Sequence, residues 1–133
     1  MKQTKKAIMY GAGNIGRGFI GALFSKSGYE VTFIDVAKPV VEALHQRGNY
    51  PVRILSDEGF TDEIIEHVDA IDGNDAAAVA VAIANADVMA TAVGANILKF
   101  IVPNIANGLR QRFTQTDQPL NIIICENLMD ANK

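Results

Sequence analysis

The run from Lys6 to Phe19 reads as a short apolar strand, Ala7-Ile8-Met9-Tyr10, then a glycine turn, Gly11-Ala12-Gly13-Asn14-Ile15-Gly16, then the opening of an amphipathic helix. Few backbone arrangements accept three glycines at that spacing between a strand and a helix. Gly11 permits the sharp turn, Gly13 lets a ligand approach the backbone, and Gly16 lets the helix pack close to the sheet. The free backbone N–H groups at the helix start favour an anion, and the pyrophosphate of a dinucleotide fits that pattern.

The flanking residues support the same geometry. Ile15, Phe19, Ile20, Leu23 and Phe24 fall on one helical stripe over a helix at about 14–27, and Gly28 suits the position just past its end. The next strand, about 30–35, ends in Asp35, where a carboxylate accepts hydrogen bonds from the adenosine ribose. A carboxylate there also repels a 2′-phosphate, which favours NAD over NADP. Lys38 is the only cation close by.

The rest of the chain alternates strands and helices. A helix is expected from Pro39 to Arg47 with Gly48 beyond it, and an alanine-rich helix over about 76–85 capped by Asn74 or Asp75. A strand over 88–93 closes at Gly94. A helix capped by Asn96 runs towards Phe113, with Pro103 expected to break or kink it. A last strand covers 120–125, and its unbroken apolar character suits a sheet covered on both faces. Residues 50–72 hold three β-like runs with a turn cluster at Ser56-Asp57-Glu58-Gly59, read as a small antiparallel insertion or an edge addition rather than another crossover helix. The fold class is therefore α/β: a Rossmann-type, doubly wound, mostly parallel sheet with an insertion around 50–72.

At 133 residues the chain is one dinucleotide-binding domain, residues 1–133. A net charge of −3 with no basic run argues against nucleic acid. No stretch is long and apolar enough to span a membrane. The single cysteine, Cys125, excludes an internal disulfide and fits a reducing cytoplasm. Cys125 reads as a buried, inert thiol. His45 and His67 lack partners at metal-ligand spacing, so no metal site is expected. Asp57, Glu58, Asp62, Glu63 and Glu66 read as a solvated face. Arg17, a cation in the first helical turn, needs an anionic partner or solvent, and the cofactor phosphates or a neighbouring domain would supply the former. Gly94 lies at the sheet edge along which ligands of open α/β sheets bind.

The wording of four motifs, Gly11 to Gly21, Thr32 to Val36, Thr91 to Gly94 and Asn121 to Asn127, resembles the mannitol-1-phosphate 5-dehydrogenase family, a branch of the long-chain polyol dehydrogenases. The resemblance runs in order over nearly the whole chain. Ile15 and Gly16 favour this sugar-phosphate branch over the mannitol 2-dehydrogenases. It implies an NAD-dependent oxidoreductase of polyol metabolism that interconverts mannitol 1-phosphate and fructose 6-phosphate by hydride transfer without a metal. It assigns cofactor binding to Gly11, Ala12, Gly13, Asn14, Ile15, Gly16, Arg17, Asp35 and Gly94. Asn127 is the one substrate-facing candidate.

In that family catalysis resides in a second, helical domain with a Lys-x4-Asn-x2-His signature. This chain lacks it; Lys99, Asn104 and Asn107 share the spacing but supply no histidine. The expectation is a domain that binds NAD without turnover, with the helical catalytic domain absent and an uncovered face that promotes self-association. Alternatives are a free-standing nucleotide-binding or sensor module, or the NAD domain of another polyol or hexuronate dehydrogenase. A methyltransferase is disfavoured by Gly16 and Gly94.

Overall fold

A computed structural model of the chain describes residues 5–13 and 16–125. Strand β1 (Lys6–Tyr10) leads through the glycine turn into a helical segment. Its first turn, Gly16–Ile20, is π-helical and its remainder is α1 (Gly21–Lys26). Then come β2 (Glu30–Asp35), α2 (Lys38–Arg47), β3 (Asn49–Ser56), β4 (Gly59–Glu66) and β5 (Val68–Asp72). The order closes with α3 (Ala76–Ala84), β6 (Val88–Thr91), α4 (Ala95–Phe113) and β7 (Asn121–Ile124).

The main sheet has the order β5-β2-β1-β6-β7, and every ladder in it is parallel. Winding reverses between β1 and β6, which opens a crevice at the carboxyl ends of those strands. Alternation of side chains along each strand builds two cores. Met9, Val31 and Phe33 point to the layer containing Ala22 of α1 and Leu44 of α2. Ile8, Tyr10 and Ile34 point to the layer containing Val79 and Ile83 of α3 and Ile101 of α4. This doubly wound sheet is the expected fold class.

Residues 50–72 supply both an antiparallel insertion and an edge addition. Only β3 and β4 form the antiparallel hairpin, with Tyr50 opposite Ile65 and Leu55 opposite Phe60. The third run, Val68 to Asp72, is an edge strand of the main sheet, parallel to β2 with Val31 opposite Val68. His67 redirects the chain between the two: it adopts a left-handed φ of 61°, and its carbonyl accepts the N–H of Val31. The hairpin docks through Tyr50, whose ring meets Phe33 edge-on at 5.6 Å.

Pro103 does not break α4, which runs unbroken from Ala95 to Phe113. Proline removes the N–H that would bond the carbonyl of Lys99. Both residues lie on the exposed face of the helix, where water solvates that carbonyl, while Leu98, Ile101, Ile105 and Leu109 hold the other face to the core. Asn96 is not the cap. The N–H groups of Ile97 and Leu98 donate to the carbonyl of Gly94, at 3.0 and 3.1 Å. Asp75, by contrast, caps α3 by accepting the N–H of Ala78.

β7 is not covered on both sides. It pairs with β6 alone among the described residues, and Ile123 and Ile124 remain 49% and 37% exposed. The approach to it is fastened by Arg112, a cation only 4% exposed. Its guanidinium donates to the carbonyls of Ile83, Ala84 and Ala86 at the end of α3. It also donates to those of Gln118 and Pro119. A buried arginine thus satisfies carbonyls that a helix end leaves without amides.

Candidate functional site

The carboxyl ends of β1, β2 and β6 enclose a groove of about 470 Å³. Its floor is Gly11, its walls include Asp35 and Val36 on one side and Ala92 and Val93 on the other, and α4 closes it with Ile97 and Phe100.

The glycine loop has little freedom. Gly11 has a φ of 111°, which side-chain-bearing residues rarely adopt, and its N–H donates to the carbonyl of Ile34 at 2.8 Å. A Cβ on Gly16 would strike the carbonyl of Gly11, so the helix start and the loop touch backbone to backbone. Gly13 is different. Nothing lies within 4 Å of where its Cβ would stand, so the loop presents bare backbone outward there.

Asp35 ties the loop to the adjacent strand. Its Oδ2 accepts the N–H of Ala12 at 2.8 Å, and its Oδ1 accepts the N–H of Ala37 at 3.0 Å. An ionised carboxylate offers about four acceptor positions, so capacity remains for two hydroxyls of a ribose in the groove. The exposed apolar side chains of Val36, Ile97 and Phe100 supply flat contact for a heterocycle.

Of the residues singled out in the sequence, Gly11, Ala12, Gly13, Gly16 and Asp35 are brought together. Gly94 stands next to Val93 at the start of α4. Asn14, Ile15 and Asn127 lie outside the described residues. Arg17 does not line the groove. Gly16 faces the sheet, and the next side chain along the turn points towards α2 and the hairpin, where Arg17 borders cavities with Tyr50 and Pro51. The hydroxyl of Tyr50 donates to the Arg17 carbonyl at 2.7 Å, and burial pushes that phenol up to about 12.

Asn104, which lines the groove, had no site role in the sequence reading. Asn104 on α4 donates to the hydroxyl of Tyr10 and to the carbonyl of Gly73, both at 3.3 Å, bridging α4, β1 and the turn after β5. Burial raises the Tyr10 phenol, and the Asn104 contact partly offsets that. The spacing of Ile97, Ile101 and Asn104, one helical face, was the available signal.

The mannitol dehydrogenase Rossmann domain matches residues 5–133 of this sequence. The chain belongs to that family. Curated relatives of this mannitol dehydrogenase Rossmann domain include the mannitol-1-phosphate 5-dehydrogenase of Brevibacillus brevis. That protein is 50% identical over 127 residues, 96% of this chain and 33% of the relative. The enzyme of the same name from Thermoanaerobacter pseudethanolicus is 46% identical over 95% of this chain and 32% of its own length. One from Ajellomyces capsulatus is 44% identical over 96% and 32%. The chain therefore spans about a third of the length of the curated relatives it matches. Among the described residues, no three metal-ligating side chains cluster, and no helix is long and apolar enough to cross a membrane.

Proposed function

We propose that this mannitol dehydrogenase Rossmann domain binds NAD(H) and serves an oxidoreductase that interconverts mannitol 1-phosphate and fructose 6-phosphate in the cytoplasm. The observation that carries the reading is Asp35, held by the amides of Ala12 and Ala37 at the rim of a groove at the sheet's switch point. Backbone N–H groups of the loop 11–16 receive the pyrophosphate, Asp35 receives the adenosine ribose, and Gly94 lies along the path to the nicotinamide. The bound dinucleotide supplies hydride acceptance. This chain's residues bind and orient it, and Asn127 is the candidate for contact with the substrate.

The general base and most of the substrate contacts belong to a helical catalytic domain outside residues 1–133. The chain alone then binds NADH without turning over mannitol 1-phosphate. Fluorescence titration with NADH, followed by an assay with mannitol 1-phosphate and NAD, tests both halves. Saturable binding without NADH production is expected, and turnover by the purified chain would place the base within it. Exposed Ile123 and Ile124 on the open edge of β7 favour association of two copies. Sedimentation at rising concentration is expected to show dimer, and a monomer throughout would refute the association.

A further inference from the structure

Beneath the hairpin, on the far side of the π-helical turn from the groove, lies a second cavity of about 320 Å³. It is lined by Arg17, Gly18, Tyr50, Pro51, Val52 and Arg53. It adjoins another of about 260 Å³ that shares Arg17, Tyr50 and Pro51 and adds Arg47. Among the described residues, three arginines border this space and no carboxylate lines either cavity. The Nε of Arg17 is buried and has no hydrogen-bond partner among the described residues. The Tyr50 hydroxyl donates to the Arg17 carbonyl and forms no bond with this Nε. A buried guanidinium N–H without an acceptor is costly, and an oxyanion is the group that best relieves it. Arg53 stands at the rim. Asp62 accepts from its Nε at 3.0 Å, and the ring of Phe60 lies 4.0 Å from its guanidinium carbon, so the cation is held in one orientation.

We infer that the cavity between Arg17 and Arg53 binds a phosphate monoester or free phosphate dianion, at a site separate from the glycine loop. The inference rests on Arg17, Arg53 and the cavity, and stands whether or not the groove takes NAD. Two sources share this chemistry, the phosphate of a sugar phosphate and inorganic phosphate.

Calorimetric titration of the chain in phosphate-free buffer, with and without saturating NADH, uses inorganic phosphate and mannitol 1-phosphate as probes. Binding of either is expected to persist with NADH present. Arg17→Met and Arg53→Met are each expected to weaken it by about tenfold or more, the loss of one charge-assisted hydrogen bond. Arg53→Met sits on the exposed hairpin, so it keeps the test decisive if Arg17→Met fails to fold, and it leaves NADH affinity unchanged. Tighter binding of mannitol 1-phosphate assigns the site to a sugar phosphate, and equal binding assigns it to the inorganic ion. Absence of binding by both probes, displacement by NADH, or indifference to Arg53→Met overturns the inference.

Discussion

The carboxylate of Asp35 accepts the backbone N–H of Ala12 at 2.8 Å. One side chain at the end of β2 thereby fixes the position of a loop that begins at the end of β1. Ala12 is itself buried, so its amide has no ready access to water if the carboxylate is removed. The residue proposed to receive the ribose also shapes the glycine loop, so a change there is expected to alter both.

Asp35→Ala is expected to lower stability by about 1–2 kcal/mol, the cost of leaving a buried amide unpaired. NADH affinity falls by about tenfold or more with the loss of a charged acceptor. Urea unfolding and fluorescence titration measure the two effects separately. In Asp35→Ser combined with Val36→Arg, the ratio of NADPH to NADH affinity should rise. An unchanged ratio would falsify the ribose assignment.

Gly13 and Gly16 separate binding from folding. Gly16→Ala drives a methyl into the Gly11 carbonyl and is expected to cost about 3 kcal/mol, at the upper end of overpacking. Gly13→Ala meets no protein atom within 4 Å, so its unfolding midpoint stays near wild type while NADH binding weakens. The reverse pattern in denaturant melts and titrations would mean that the loop faces the other way.

Arg112→Met removes the donor shared by five carbonyls and is expected to destabilise the fold by about 3 kcal/mol. Arg112→Lys should recover only part of that, since an ammonium lacks the planar fork that spans two segments. Thermal unfolding of both variants checks the prediction. Equal stability of the lysine variant and wild type would show that charge alone suffices.

His45 on α2 and Asp69 on β5 form an exposed pair. The hydrogen bond that His45 donates to the Asp69 carboxylate, then the charge of that carboxylate, raises the His45 pKa. The protonated form is therefore favoured by folding. The contribution is complete below the ordinary histidine value of about 6.5 and is lost as pH rises through the higher folded value. NMR titration should find His45 above its ordinary value and Asp69→Asn should bring it back. A titration that Asp69→Asn leaves in place would exclude the pair in solution.

The parts legible in the sequence were those set by local chemistry: the glycine spacing, the acidic end of β2, a cap at Asn74 or Asp75 and the turn at Ser56 to Gly59. Features left open, unread or misread in the sequence depended on partners far along the chain. Val68 to Asp72 alternates as an insertion strand would, and only its pairing with β2 makes it part of the main sheet. Pro103 looks like a break until the buried face of α4 is seen to hold both halves of the helix. Arg112 drew no reading, because the carbonyls it serves come from α3 and the segment before β7. In the site, Asn104 stayed hidden for the same reason: its partners Tyr10 and Gly73 belong to other elements.

The all-parallel main sheet has a consequence for how the chain acquires its function. Each of its ladders joins segments separated by a crossover, as Ala7 is joined to Val88, whereas the hairpin closes between near neighbours. Loop closure makes the long-range pairings slow. The groove needs β1 seated between β2 and β6, so a partly folded chain with a finished hairpin has no nucleotide site. On the proposed function, competence to bind arrives with the completed sheet, and a dinucleotide that binds only the native state is expected to draw the folding equilibrium towards it.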